Sequence, residues 1–310
     1  MTTTPPSATA QVPATAPPRK LTRAEQRAVE AKTKLSSPWA TAIAILMAIL
    51  WTIPTFGLLV TSIRPQASIQ NSGWWTWFTN PEFTLENYDE VLFGTGTAFS
   101  TYFINTLVIT IPAVVIPITI ALLAAYAFAW IDFRGRDLLF VGMFALQIVP
   151  LQVTLIPLLS IYVDVGLAGS FWTVWLSHSI FALPLAIFLF HNFMKEIPRS
   201  LIEAARVDGA GHVRIFFTVL MPLLVPAIAA FTVFQFLWVW NDLLVALTFA
   251  GGTPNVAPLT VRLAELSGSR GQDWFLLSAG AFVALIVPLI IFLFGQRYFV
   301  RGLLAGGVKG

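Results

Sequence analysis

The sequence predicts an all-α fold: a polytopic membrane bundle of six transmembrane helices. Of its 310 residues, 57% are apolar and only 11% are charged, where a soluble domain carries about 25% charge. Six runs free of Asp, Glu, Lys and Arg are each long enough to cross a hydrocarbon core of ~30 Å, which takes about 20 residues per helix. The cations are strongly sided once those six runs are laid across a bilayer. Cysteine is absent, which removes disulfides, thiolate metal sites and Cys nucleophiles.

Residues 1–36 come first. Their Thr/Pro/Ala-rich start cannot bury a core, and the basic stretch "RKLTRAEQRAVEAKTK" follows, so a disordered, basic N-terminal tail is expected. No apolar stretch begins before about Pro38, which is late for a signal peptide. The six runs are Leu35–Ile63, Val91–Ile131, Leu138–Val163, Val165–Met194, Ile215–Asn241 and Trp274–Gln296. The second exceeds one span, so its helix is placed from Thr101 to Trp130. Together these runs define a membrane domain over 37–300, with a loop at 198–214 and a Gly-rich, flexible tail at 301–310. Prolines 54, 112, 117, 150, 157, 184, 226 and 288 fall inside the runs. Neighbouring helices can satisfy the backbone groups that each proline frees.

Six spans put both termini on one side. With the termini in the cytosol, fifteen Lys and Arg residues lie inside and three (Arg64, Arg262 and Arg270) lie outside. That bias predicts a cell-membrane protein with cytoplasmic termini, and it places "SLIEAARVDGAG" (Ser200–Gly211) in the cytosol between spans four and five. Ser200 and Glu203 have capping-box spacing, Pro198 interrupts the preceding helix, and Gly209 suits a left-handed C-terminal position. A helix of about two turns, Leu201–Asp208, is expected. Alone it is too short to persist in water, so it must dock. Leu201, Ala204, Ala205 and Asp208 share one face. An interfacial helix on lipid headgroups is one reading; a protein partner is the other, favoured because Glu203 and Asp208 suit an anionic leaflet poorly.

The same residues carry a family resemblance. Glu203-Ala204-Ala205, three residues, Gly209, nine residues, Val219, one residue and Met221-Pro222 resemble the EAA signature of ABC importer permeases, which reads E-A-A, three, G, nine, I, one, L-P. Val219 and Met221 are the departures, both apolar and similar in volume. "PLQVTLIPL" (Pro150–Leu158), "FALPLAIFLF" (Phe181–Phe190), "WNDLLVAL" (Trp240–Leu247) and "QRYFVRGLLAGGVKG" (Gln296–Gly310) look like the binding-protein-dependent sugar-importer branch, of maltose type. The resemblance covers roughly 40–310. It implies the type I importer permease fold and a coupling helix at Glu203, Ala204, Ala205, Asp208 and Gly209 that docks on an ATP-binding subunit. It further implies a second, non-identical permease, a dimer of ATP-binding subunits that hold ATP and magnesium, and an extracytoplasmic sugar-binding protein. The outer loop 250–273, with Gly251, Gly252, Arg262 and Glu265, would contact that receptor. The tail, with Gly306, Gly307 and Lys309, would insert between the ATPase subunits.

The chain itself shows no phosphate-binding G-x-x-x-x-G-K-[ST] and no H-E-x-x-H, so no cofactor, metal or catalytic residue and no nucleic-acid partner is expected. Its partners are the sugar substrate, membrane lipid and the subunits above. Secondary carriers usually hold more intramembrane ionisable groups than Asp242 and scattered histidines. The rival readings are another ABC branch for polyamines or phosphate esters, a membrane enzyme and a proton-coupled carrier. Asn241-Asp242 is read either as a polar helix terminus or as part of the pathway, together with Gln152 and Gln235. Gln147, Gln152, Ser160, Ser177, His178, Asn192 and Gln235 are expected to bond between helices, and some could line a sugar path. "NSGWWTWF" (Asn71–Phe78) reads as an interfacial aromatic belt. "EFTLENYDEVLF" (Glu82–Phe93) reads as an outer amphipathic helix that packs on a partner subunit.

Overall fold

The computed structural model describes residues 38–94, 99–268 and 273–307. The tail at 1–36 and Arg270, Gly271 and Lys309 lie outside them. Two units are distinguished, Met1–Phe56 and Gly57–Gly310. In chain order the helices are α1 (Pro38–Ser62), α2 (Gln66–Asn71), α3 (Glu86–Phe93), α4 (Phe99–Trp130), α5 (Arg136–Ala145), α6 (Leu151–Asp164), α7 (Phe171–Glu196), α8 (Arg199–Val207), α9 (His212–Trp240), α10 (Leu244–Ala250), α11 (Leu259–Ser267) and α12 (Trp274–Gly307). Among the described residues there is no strand.

Five helices are long and apolar enough to cross a membrane: α1, α4, α7, α9 and the Trp274–Gln296 part of α12. The expected third span is different. Arg136–Ile148 and Leu151–Asp164 meet at a bend of 102°, so the uncharged run at 138–163 is not one straight helix. Pro150 disfavours helical backbone at the residue before it, and Val149 is extended at φ −70°, ψ 119°. The bent pair counts as the sixth span only if both arms are taken together. At the C-terminal end, composition predicts a flexible segment from Arg301, yet the backbone stays helical through Gly307.

The centre of the second unit is the α4–α7 pair, joined by α9. Small residues line the contact: Ala121, Ala125 and Ala186 are fully buried and Ala182 nearly so. Side chains of this size let backbones approach closely, which is how helices associate where lipid is as apolar as leucine. Gly295 of α12 serves the same end. A Cβ there would lie 2.6 Å from Cγ2 of Val233 on α9.

Three prolines in the spans are repaid in the same way. Proline has no N–H, so the carbonyl four residues earlier loses its donor. Trp175 Nε1 of α7 donates to the Val108 carbonyl freed by Pro112, at 3.0 Å. Gln235 Nε2 of α9 donates to the Ala113 carbonyl freed by Pro117, at 3.1 Å. Trp240 Nε1 donates to the Ala284 carbonyl freed by Pro288, at 3.1 Å. An unpaired carbonyl in hydrocarbon costs several kcal/mol, so these bonds fix which helices stand beside each kink.

The segments between α1 and α4, expected on the outer side, pack on their own chain. Helix α3, expected to face a partner subunit, packs on α12 and α4. Its Asn87 donates to the carbonyls of Ser62 and Arg64 at 3.0 and 2.8 Å, and Val91 joins a core cluster with Phe99, Tyr102 and Leu259. Arg64, expected as an outer cation, is 3% exposed. Its guanidinium donates to the Gly73 carbonyl at 2.9 Å and to the hydroxyls of Ser72 at 2.7 Å and Thr76 at 3.2 Å. It therefore ties down the turn that carries Trp74–Phe78, where Trp75 and Phe78 remain exposed.

Candidate functional site

Helix α8 is the polar element between spans four and five. It begins two residues earlier than the capping-box spacing implies, at Arg199 instead of Leu201. Pro198 is the N-cap at φ −58°, ψ 130°, and no side chain caps the helix. Ser200 therefore lies inside the first turn instead of in front of it. Proline's fixed φ suits this start, and the Leu201 amide donates to the Pro198 carbonyl at 3.1 Å. The other end is as expected. Gly209 has φ +79°, its amide donates to the Arg206 carbonyl, and the Ala210 amide donates to the Ala205 carbonyl, both at 2.9 Å. This bond pair is a Schellman motif, which glycine completes without a Cβ clash.

The face expected to be uniform is divided. Ala205 packs against the main core, and Ile202, three residues earlier, is only 3% exposed. Ile202 is the anchor that the sequence reading missed; its signal was i, i+3 spacing from Ala205. Leu201, Glu203, Ala204, Asp208 and Gly209 are exposed. The helix is thus seated on its own bundle by one residue stripe and presents another.

Past α8 the chain enters α9 through a π-helical segment, Ile215–Leu220. The Thr218 hydroxyl donates to the Arg214 carbonyl at 2.6 Å, the acceptor an α-helical amide at 218 would use. Pro222 offers no N–H to the Thr218 carbonyl. Both features favour the wider turn. The Tyr126 hydroxyl lies 2.7 Å from His212 Nδ1, which joins α4 to the start of α9.

A cavity of about 850 Å³ opens between the Val149–Pro150 bend, α6, α7 and α9. Gln152 and Gln235, two of the four residues read from sequence as pathway candidates, both line it, with Gln147, Thr154 and Trp238 beside them. Asn241 and Asp242 do not. The Asn241 amide donates back to the Leu237 carbonyl at 2.8 Å. Asp242 accepts from the amides of Val245 at 3.2 Å and Ala246 at 2.8 Å, so its carboxylate caps α10. Its other neighbour is the fully buried His178, with Nε2 3.5 Å from Oδ2. That contact is too poorly aligned to be a hydrogen bond, since neither ring nitrogen has a partner. The Asp242 geometry supports the polar-terminus reading.

The loop expected on the outer side is, in its described residues, more ordered than a flexible connection. It contains α11, whose Leu259 amide is accepted by the Thr106 hydroxyl at 2.8 Å. Asn105 donates to the carbonyls of Pro254 and Ala257. Arg262 pairs with Glu265 at 3.1 Å and lies over the Tyr102 ring. Gly251 and Gly252 precede this helix, and Gly251 adopts φ +73°. Gly306 and Gly307 lie in helical backbone. Among the described residues, no group of three or more His, Asp or Glu could hold a metal ion.

Residues 117–304, more than half the chain, match the family described as "Binding-protein-dependent transport system inner membrane component". The chain is 56% identical over 272 residues to the osmoprotective compounds uptake permease protein GgtD of Synechocystis, covering 86% of this chain and 91% of that one. It is 49% identical to the alpha-glucoside transport system permease protein AglG of Rhizobium meliloti, covering 81% and 67%. It is 32% identical to the arabinooligosaccharides transport system permease protein AraQ of Bacillus subtilis, covering 86% and 93%. The fold matches a crystal structure of a bacterial ABC transporter involved in alginate import, with a TM-score of 0.70, 21% identity and coverage of 91% and 100%. The bundle, the sequence match and these relatives agree that the chain belongs to the family of inner-membrane components of binding-protein-dependent transport systems.

Proposed function

We propose that the chain is the permease subunit of an ATP-driven ABC importer that takes up a carbohydrate, an α-glucoside or a short oligosaccharide. The observation that carries the coupling role is the exposed face of α8. A helix of 9 residues is too short to be stable alone. Ile202 and the Schellman turn at Gly209 hold it in place, while Leu201, Ala204 and Asp208 are left uncovered. A groove on an ATP-binding subunit would receive that face. The π segment lies directly between α8 and the groove-lining part of α9, so displacement of α8 would reach span five first. The carbohydrate reading is supported by relatives named for α-glucoside and arabinooligosaccharide transport.

In this reading both termini are cytoplasmic, as the charge bias favours. A second permease completes the pathway, two ATP-binding subunits bind ATP and magnesium, and an outer binding protein delivers the solute. Closure of the ATPase dimer pushes on α8, the bundle opens to the receptor, and hydrolysis resets it. The experiment is mild-detergent purification of the complex, identification of its subunits by mass spectrometry and measurement of carbohydrate-stimulated ATPase. Crosslinkers at Leu201 and Ala204 are expected to capture an ATP-binding polypeptide. Capture of lipid alone, or ATPase activity in this chain purified by itself, would overturn the reading.

A further inference from the structure

We infer that Gln235 is a specificity-determining residue of the permease, whose side-chain carbonyl receives a hydroxyl of a neutral polyhydroxylated solute as it passes the groove. This deepens the carbohydrate reading and rests on it. Three observations carry it. First, the Gln235 amide has a fixed orientation. The Ala113 carbonyl can only accept, and Pro117 has removed its helical donor, so the Gln235 nitrogen must point to it at 3.1 Å. Oε1 is thereby directed away from that bond. Second, Oε1 is buried without any partner, on a residue that is 0% exposed. A buried acceptor left unpaired is unfavourable, so the atom gains by meeting a donor when the groove widens. Third, the wall around it matches a sugar. Gln147, Gln152 and Thr154 supply amide and hydroxyl groups, Trp238 supplies a ring, and no lining residue is charged. Sites for neutral ligands combine apolar and aromatic walls with a few placed polar groups. An acidic or cationic solute would meet no counter-charge here.

The alternative is that Gln235 only repays the carbonyl at the Pro117 kink. The two roles separate because Pro117→Ala restores the backbone donor to Ala113. Labelled maltose, trehalose and sucrose are offered to the assembled importer with its binding protein in proteoliposomes, and solute taken up per ATP hydrolysed is measured. Gln235→Met is expected to lower this ratio about three- to tenfold, the range for one lost hydrogen bond. In the double variant Pro117→Ala/Gln235→Met, compared with Pro117→Ala alone, thermal stability returns and the low ratio persists. Full recovery of uptake in the double variant would overturn the inference. Gln152→Leu provides a second reading that does not depend on the kink, because Gln152 is exposed in the same groove. It is expected to lower the ratio with assembly intact, and parental uptake in that variant would also count against the inference. If the parental complex takes up none of the three sugars, the carbohydrate reading fails instead.

Discussion

Trp175 and Val108 are joined by a bond that exists because of a third residue. The indole N–H of Trp175 donates to the Val108 carbonyl at 3.0 Å, and that carbonyl is free because Pro112 has no amide hydrogen. Trp175→Phe is expected to destabilise the complex by about 0.6 kcal/mol, the average for a hydrogen bond between membrane helices, and by no more than about 1.7 kcal/mol. Adding Pro112→Ala should return most of the loss. Thermal denaturation of the two variants in one detergent checks this, and a double variant as labile as the single one would count against the compensation.

The two stripes of α8 should separate stability from coupling. Ile202→Ala empties a buried site and is expected to cost ~2–5 kcal/mol of bundle stability. Leu201→Ala, at a residue 45% exposed, should leave the melting temperature of the isolated subunit unchanged while reducing the ATP-binding subunit recovered with it. Equal effects of both variants on both readouts would show that the stripes do not act separately.

Gly209 tests the turn that ends α8. Its φ of +79° costs a residue with a Cβ ~1–2 kcal/mol. Gly209→Val is expected to loosen the Schellman turn and lower uptake per ATP, and Gly209→Asn should do less harm because Asn tolerates this region. Uptake and ATPase measured on the same preparation give the ratio.

Asp242 is expected to behave as a cap. Asp242→Asn keeps an acceptor for the amides of α10 and should retain most uptake. Asp242→Ala removes it, at a cost of about 0.5–2 kcal/mol, and should lower uptake without abolishing assembly. Equal loss in both variants would indicate that the negative charge itself is required.

The sequence revealed what apolar runs and helix punctuation can carry: most of the spans, a short polar helix at α8 and its Gly209 end. It did not reveal the break at Val149–Pro150. An uncharged run looks the same whether straight or bent, and only the pre-proline restriction hints at the 102° turn. Ser200 and Glu203 have capping-box spacing, but Pro198 starts the helix first. The burial of Arg64 was not legible either, because its partners are carbonyls and hydroxyls brought together only by folding. Gln152 and Gln235, singled out on polarity, both line one cavity. Asn241 and Asp242 were grouped with them on the same basis, but they lie outside that cavity and bond to backbone groups that polarity alone does not reveal.

The wide turn at Ile215–Leu220 acts as a phase shifter. A π turn holds roughly one residue more than its α counterpart, and one residue is about 100° of azimuth on a helix of 3.6 residues per turn. Everything above it on α9 is therefore dialled to its present bearing by that single surplus position. Shortening the segment by one residue would swing Gln235 and Trp238 away from the groove and bring a neighbouring stripe into their place. Lengthening or trimming this joint would thus alter what the passage displays while changing none of the side chains that line it.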